Sequence, residues 1–202
     1  MTETPQPRMR AMLDARSVDL IHNDLAAAAF FFTSRIKERL AKDDRDGLFH
    51  EVIAALTMTA FTLEAYLNFV GAQVNPDWAE RDDVETKLKT LRKALGVQTD
   101  YNKPPYATAR QIIGARNRLA HGKPQVSVKR TEVEGTDAQL EAMARDLAVA
   151  WDQEVTAEFV LQAYDDVEAI WRELLAAAGI DVIDTLSGAS GTLEILGRAK
   201  AH

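Results

Sequence analysis

Apolar residues recur every three or four positions along most of the chain, which is the spacing of amphipathic helices. The first such segment spans about 17–42 and begins at Ser17, a suitable N-cap with Asp19 behind it. The second, 48–74, is apolar on most sides, as is typical of the central helix of a bundle. The same spacing predicts further helices at about 84–95, 105–121, 136–151 and 156–178.

In the short helix 84–95 the leucines are predicted to be buried, and the basic residues are predicted to face solvent, namely Lys87, Lys89, Arg92 and Lys93.

The segments that follow the helices are patterned differently. After Pro124, apolar Val126 and Val128 alternate with polar residues, which predicts a short extended segment or hairpin. Beyond Gly179 the chain is weakly patterned and contains Gly and Ser, so a peripheral or partly disordered tail is expected.

These elements predict an all-α fold, an antiparallel bundle of five or six helices joined by short loops. The expected organisation is an N-terminal extension at 1–16, one helical domain at 17–178 and the tail at 179–202. A chain of 202 residues is long enough to bury one sizeable core.

Composition narrows the class of protein further. The chain has no cysteine, which excludes disulfides and thiolate metal sites. Its longest apolar run, 25–32, is far short of the roughly 20 residues that span a bilayer, and no signal peptide is recognisable at the start. His22 and His50 lack the Glu-x-x-His spacing of a metal-binding bundle, and both are expected to be surface or interhelix residues. A cytoplasmic protein without metal or cofactor is therefore predicted.

Charge is distributed unevenly along the chain. Residues 81–130 contain 12 Lys and Arg against 4 Asp and Glu, a local charge of +8. The rest of the chain contains 12 against 27, or −15, and the net charge is −7. A local phosphate-binding patch on an otherwise acidic body fits this pattern, and a solvated helix face fits it equally well. The overall acidity argues against binding to DNA or to long polyanions over the whole surface.

The basic segment contains the sequence RNRLAHG, residues 116–122, at the end of a predicted helix. At about 100° per residue, Arg110, Asn117 and His121 lie in one narrow stripe, whereas Arg116 lies about 140° from His121. One straight helix therefore does not direct Arg116 and His121 at one small target. Either two copies of the helix complete a site, which favours a symmetric homodimer, or the helix loosens before Gly122.

The residue types in this motif suit RNA cleavage without a metal. A histidine can take a proton from a ribose 2′-hydroxyl or give one to the departing 5′-oxygen. An arginine offers paired donors to phosphate oxygens, and Asn117 can orient the imidazole or bind phosphate. The alternative is that His121 only caps the helix and Arg116 only forms a structural ion pair.

RNRLAHG resembles the Arg, polar residue, three variable residues, His signature of HEPN domains, which are all-α bundles found in prokaryotic toxins, antiphage systems and RNA-processing enzymes. Glu64 and Asn68 resemble the E-x-x-x-N helix that often precedes the motif in that group. The resemblance implies that Arg116 and His121 are the catalytic pair and that Asn117 is the polar position. It also implies that Glu64 and Asn68 face the motif helix, where Glu64 pairs with Arg116 or merely holds the two helices together.

The resemblance further implies a metal-independent endoribonuclease that acts as a homodimer and leaves a 2′,3′-cyclic phosphate. Its RNA substrate would also contact basic residues near the motif, namely Arg110, Arg118 and Lys123. Such an enzyme would be a toxin or antiphage effector, and a neighbouring antitoxin or nucleotidyltransferase would favour the toxin. Two alternatives stay open: a non-catalytic module that binds RNA, a nucleotide or a partner protein through the same face, and a purely structural helical dimer.

Overall fold

The computed structural model describes residues 8–122, 128, 130–145 and 155–198, and within them the fold is mostly helical with one small sheet. Strand β1 and helices α1 to α6 are followed by a short 3-10 helix and strand β2. Their bounds are β1 Met9–Val18, α1 Ile21–Ala41, α2 Leu48–Val74, α3 Val84–Leu95, α4 Tyr106–His121, α5 Asp137–Arg145, α6 Ala157–Ala178, the 3-10 helix Val182–Thr185, and β2 Gly188–Arg198.

Helix α2 is the central element of the bundle and packs against α1, α3, α4 and α6. Its buried residues belong to two apolar clusters, one shared with α3 and the other with α1, and α4 and α6 contribute to both. Within the described residues it is the one helix long and apolar enough to cross a membrane, and half of that apolar stretch is buried in the bundle. Such burial is typical of the core helix of a soluble protein.

Local signals in the sequence explain why most helices have the predicted bounds. Asp83 accepts a hydrogen bond from the Thr86 backbone N–H (3.0 Å) at the start of α3, and Thr156 accepts one from that of Phe159 (3.1 Å) at the start of α6. Gly96 and Gly179 end these two helices in the left-handed conformation that glycine adopts without strain.

The expected start of the first helix at Ser17 is wrong. Ser17 lies in β1, where it is paired with Ala189 of β2, and α1 begins only at Ile21. The backbone N–H of Leu20 donates to Ser187 Oγ (2.9 Å), so the C-terminal segment holds this part of the chain outside the helix. The N-terminal extension and the tail thus contribute the two strands of one antiparallel sheet, and the all-α prediction is corrected to a mostly helical fold with this sheet.

The tail was also expected to be peripheral or partly disordered. The described part of it is ordered as the 3-10 helix and β2, although almost every residue of β2 is exposed. The predicted extended segment after Pro124 lies mainly outside the described residues, which include Val128 and 130–136 without regular structure. Residues 146–151 of the predicted 136–151 helix also lie outside them.

His22 joins the start of α1 to the C-terminal segment. It is buried rather than at the surface, its Nε2 lies 3.0 Å from the carbonyl oxygen of Thr185, and its ring packs against Tyr66, Phe69 and Trp171. Burial lowers the pKa of His22, and the hydrogen bond to Thr185 only partly opposes that effect. The neutral imidazole is therefore the form that the fold favours.

Candidate functional site

Helix α4 carries the RNRLAHG motif and is fixed to the bundle on one side. Ile112 and Ala115 are buried, and the Tyr106 hydroxyl donates to Glu173 of α6 (2.7 Å). Burial beside that carboxylate raises the pKa of Tyr106, which keeps the hydroxyl protonated as a donor. The helix ends at His121 because Gly122 adopts a left-handed conformation (φ +51°).

The opposite side of α4 faces solvent. Arg110, Asn117 and His121, which share one stripe of the helix, are all exposed, and so is Arg118. His121 occupies the last turn, where the free carbonyl groups attract a cation. Because these side chains are accessible, phosphate can approach them without a rearrangement of the core.

Arg116 is directed toward α2 instead. Its Nη2 donates to Glu64 Oε2 (2.9 Å), and its guanidinium carbon lies 5.3 Å from the centre of the Phe61 ring. Both contacts are with α2, and the side chain is only 21% exposed. The expected pairing of Glu64 with Arg116 is therefore present, and among the described residues the guanidinium donates through Nη2 alone.

Glu64 also binds a second cation that the sequence did not single out. Its Oε1 accepts a hydrogen bond from Lys87 Nζ of α3 (2.9 Å), and the Lys87 side chain is only 1% exposed. The prediction that Lys87 faces solvent is wrong. Lys87 lies three residues after Val84 and four before Leu91, both buried, so its spacing alone would have placed it on the inner face of α3.

The Glu64 carboxylate thus lies between two cations, one from α3 and one from α4. Within this cluster of Glu64, Lys87 and Arg116, two positive charges face one negative charge, so its net charge is +1. If Lys87 were absent, Glu64 would neutralise Arg116. The buried lysine therefore leaves positive charge at the place where Arg116 is partly exposed, which is what binding of a phosphate needs.

Asn68 is not part of the cluster of Glu64, Lys87 and Arg116. Its Oδ1 accepts a hydrogen bond from Trp78 Nε1 (3.2 Å), in the segment that follows α2. The indole ring of Trp78 also covers Gly71, where a Cβ atom would lie 2.2 Å from the nearest ring carbon. Asn68 therefore orients Trp78 and the chain after α2, which differs from the expected contact with the motif helix.

Two grooves flank the exposed stripe of α4 and share Arg110 and Gly114. The wider has a volume of about 670 Å³ and the narrower about 250 Å³. Asn117 lines the narrower groove, whereas Arg118 lines the wider together with Tyr101, Gln111 and Phe159. The Arg110 guanidinium lies 5.7 Å from the centre of the Tyr101 ring. The wider groove falls within the roughly 300–1,000 Å³ of small-molecule sites, and the narrower one falls below that range.

A third, basic groove adjoins the wider one at Tyr101. It has a volume of about 470 Å³ and is lined by Lys89, Arg92 and Lys93 of α3. Five of the twelve basic residues in 81–130 therefore line these two adjoining grooves, namely Lys89, Arg92, Lys93, Arg110 and Arg118. Lys123 lies outside the described residues.

The structure thus brings Arg116, Glu64 and Lys87 together, and it places Arg110 and Asn117 along one groove. It does not direct Arg116 and His121 at one point, since Arg116 contacts α2 while His121 is exposed at the end of α4. In the part of the chain that the structure describes, no group of three His, Asp or Glu side chains is arranged to hold a metal ion. Comparison of the chain with known protein families, curated proteins and solved structures finds no match.

Proposed function

We propose that the protein is a metal-independent endoribonuclease of the HEPN type in which His121 transfers protons and Arg116 binds the phosphate. The observation that supports the proposal most strongly is that Glu64 fixes Arg116 while Lys87 offsets the charge of Glu64. A guanidinium that is held in place and not fully neutralised can stabilise the charge that develops on phosphate oxygens.

The reaction proceeds by attack of a ribose 2′-oxygen on the adjacent phosphorus. A histidine removes the 2′-hydroxyl proton, the new O2′–P bond forms, and the P–O5′ bond breaks. A proton is then delivered to the leaving 5′-oxygen, which gives a 2′,3′-cyclic phosphate and a 5′-hydroxyl. His121 transfers the protons, and because a single α4 does not aim Arg116 and His121 at the same atom, the motif helices of two copies complete the site, each supplying part of it.

The groove beside Arg110 and Tyr101 would hold the RNA next to the cleaved bond. Single-stranded bases stack on aromatic rings and on guanidinium planes, and this groove offers both. Such an enzyme would act in the cytoplasm as a toxin or antiphage effector, with an antitoxin or nucleotidyltransferase as the partner that controls it.

Cleavage of single-stranded and structured RNA in EDTA tests the activity. We expect the wild type to produce cyclic phosphate ends and His121→Ala to be at least about 100-fold slower, the usual contribution of a general acid or base. His50→Ala is the matched control, because His50 is exposed on α2 and distant in sequence from the motif. Equal inactivity of the wild type and His121→Ala, with any partner protein removed, would exclude catalysis.

A second function is favoured by the fact that Arg116 is already paired and only one-fifth exposed. The same surface could bind RNA or a nucleotide without turning it over. Binding would then weaken steeply with salt, and Arg110→Gln would lower the affinity and reduce the slope of log K against log salt. Arg45→Gln is the control, since Arg45 is exposed in the loop before α2. Equal binding by all three proteins would contradict this function.

A further inference from the structure

The ring of Phe61 is an exposed aromatic surface beside Arg116. Phe61 follows the fully buried Ala60 on α2 and points outward, with 39% of its surface exposed. The Arg116 guanidinium carbon lies 5.3 Å from the centre of this ring, within the range of a cation–π contact. Single exposed apolar side chains are common on protein surfaces, so the position of the ring beside Arg116 matters more than its exposure.

The contacts of Arg116 determine where a phosphate can bind. Its Nη2 donates to Glu64 Oε2 (2.9 Å) and its Nε is buried, so Nη1 is the nitrogen left for a ligand. Phe61 and Glu64 lie one turn apart on α2 and hold the guanidinium from the same helix. A phosphate bound at Nη1 is therefore close to the Phe61 ring.

A ligand that joins a negative charge to a flat aromatic surface fits this arrangement. The cluster of Glu64, Lys87 and Arg116 has a net charge of +1, and the ring beside it can pair with another π-surface. A nucleotide carries a phosphate and a base within one unit, so it can contact both. Helix α4 carries the same combination again, since the Arg110 guanidinium lies 5.7 Å from the centre of the Tyr101 ring. This repetition favours a polymer of nucleotides over a single anion.

We infer that Phe61 stacks with the base of an unpaired nucleotide whose phosphate is bound by Arg116, and that it selects a purine at this position. The inference rests on the proposed ribonuclease function, to which it adds the class of substrate. Bases are splayed out onto aromatic side chains from single strands, loops and bulges, so the nucleotide is unpaired. Purines have the larger ring system, and stacking strength gives such sites their modest sequence preference.

The ring also touches Arg116, and a role in holding that side chain predicts a different result. If Phe61 only held the guanidinium, Phe61→Leu would weaken the contact with a phosphate equally whether or not a base is attached. If the ring stacks with a base, the loss is confined to RNA that carries bases. A comparison with abasic RNA therefore separates stacking from the positioning of Arg116.

Binding of RNA that cannot be cleaved tests the inference without requiring catalysis. The two probes are a 2′-O-methylated oligoadenylate of about ten nucleotides and an abasic oligomer of the same length and charge. Both are measured at low salt, where phosphate contacts retain the abasic oligomer. Phe61→Leu should weaken binding of the oligoadenylate by about 5- to 150-fold, the range for one stacked base, and change binding of the abasic oligomer by less than about twofold.

Phe49→Leu is the matched control for this experiment. Phe49 has nearly the same exposure (41%) and lies on the same helix, about 18 Å from Phe61 along the axis, so both affinities should stay unchanged. Phe61→Tyr keeps an aromatic ring and should retain the affinity of the wild type for the oligoadenylate. Equal losses for the two probes, no loss for either, or an effect of Phe49→Leu equal to that of Phe61→Leu would overturn the inference.

The base preference of cleavage provides a second readout. Among RNAs that differ only in the nucleotides beside the cut, the wild type should prefer a purine on one side, and Phe61→Leu should lose this preference while it still cuts. A preference that persists in Phe61→Leu would contradict the role of Phe61. If the wild type cut no RNA but the binding results held, the ribonuclease proposal would fail and the base-binding role of Phe61 would stand.

Discussion

Removing the charge of Glu64 should destabilise the protein far more than removing that of Lys87. Glu64→Gln leaves the Lys87 ammonium buried at 1% exposure without a counter-charge, whereas Lys87→Met removes the buried charge together with its desolvation cost. In the second case Glu64, at 31% exposure, keeps water and Arg116 as partners. The two variants thus separate the cost of an unpaired buried charge from the value of the pair.

The expected magnitudes follow from the burial of the two groups. Two unit charges about 4 Å apart attract by about 4 kcal/mol at an effective dielectric constant of about 20, and desolvation offsets much of this. Breaking a buried pair by removing one partner costs about 3–5 kcal/mol, and the exposure of Glu64 reduces this to about 2–4 kcal/mol for Glu64→Gln. For Lys87→Met we expect a change within about 1 kcal/mol, because methionine is close to lysine in length and volume and buries no charge.

Urea unfolding monitored by circular dichroism measures these differences at 25 °C. The double variant Glu64→Gln with Lys87→Met should be more stable than Glu64→Gln alone by at least about 1.5 kcal/mol, since it no longer buries an unpaired charge. The thermal midpoint should fall by about 2–4 °C for each kcal/mol of unfolding free energy that is lost in a chain of this length. If Lys87→Met lowered the free energy of unfolding as much as Glu64→Gln does, the account of the cluster would be refuted.

Three further predictions concern other parts of the molecule. Gly71→Ala should lower the free energy of unfolding by about 1–3 kcal/mol and change the fluorescence of Trp78, because the added Cβ overlaps the indole ring. Gly188→Ala is the control and should change neither quantity, since nothing lies within 4 Å of a Cβ atom there. Because burial lowers the pKa of His22, the unfolded state binds more protons as pH falls below 6.5, so stability should decrease from pH 7.5 to 5.5. His22→Phe should show a smaller decrease in urea midpoints over that range, and an unchanged pH dependence would contradict this role of His22. His121→Ala should leave the thermal midpoint within about 1 °C, since the side chain is exposed, and a larger shift would mean that His121 has a structural role.

The helices could be predicted from the sequence because each depends on local signals. The spacing of apolar residues locates each helix, and capping residues such as Asp83 and Gly96 locate its two ends. The start of α1 could not be predicted in this way, because Ser17 is held in a strand by residues near 189, far away in the sequence. A pairing between the two ends of the chain leaves no local pattern when both strands are exposed.

The candidate site was predictable in part for a similar reason. The motif spacing singled out Arg116 and His121 as candidates, and the contact of Arg116 with Glu64 follows from two helices that pack together. Lys87 was missed because a lysine in an amphipathic helix usually faces solvent, although its spacing from Val84 and Leu91 indicated the inner face. Asn68 bonds to Trp78 in the chain that follows α2, which the position of Asn68 on the helix did not indicate.

The central claim is that the protein cleaves RNA by attack of the RNA's own 2′-hydroxyl group, with His121 transferring the protons. Single-turnover cleavage in EDTA of an RNA and of its fully 2′-O-methylated counterpart tests that claim most directly. The account predicts that the unmodified RNA alone is cut and that the products end in a 2′,3′-cyclic phosphate and a 5′-hydroxyl. His121→Ala should slow the cut at least about 100-fold, and His50→Ala should not. Cleavage of the methylated RNA, or activity equal in wild type and His121→Ala, would contradict it.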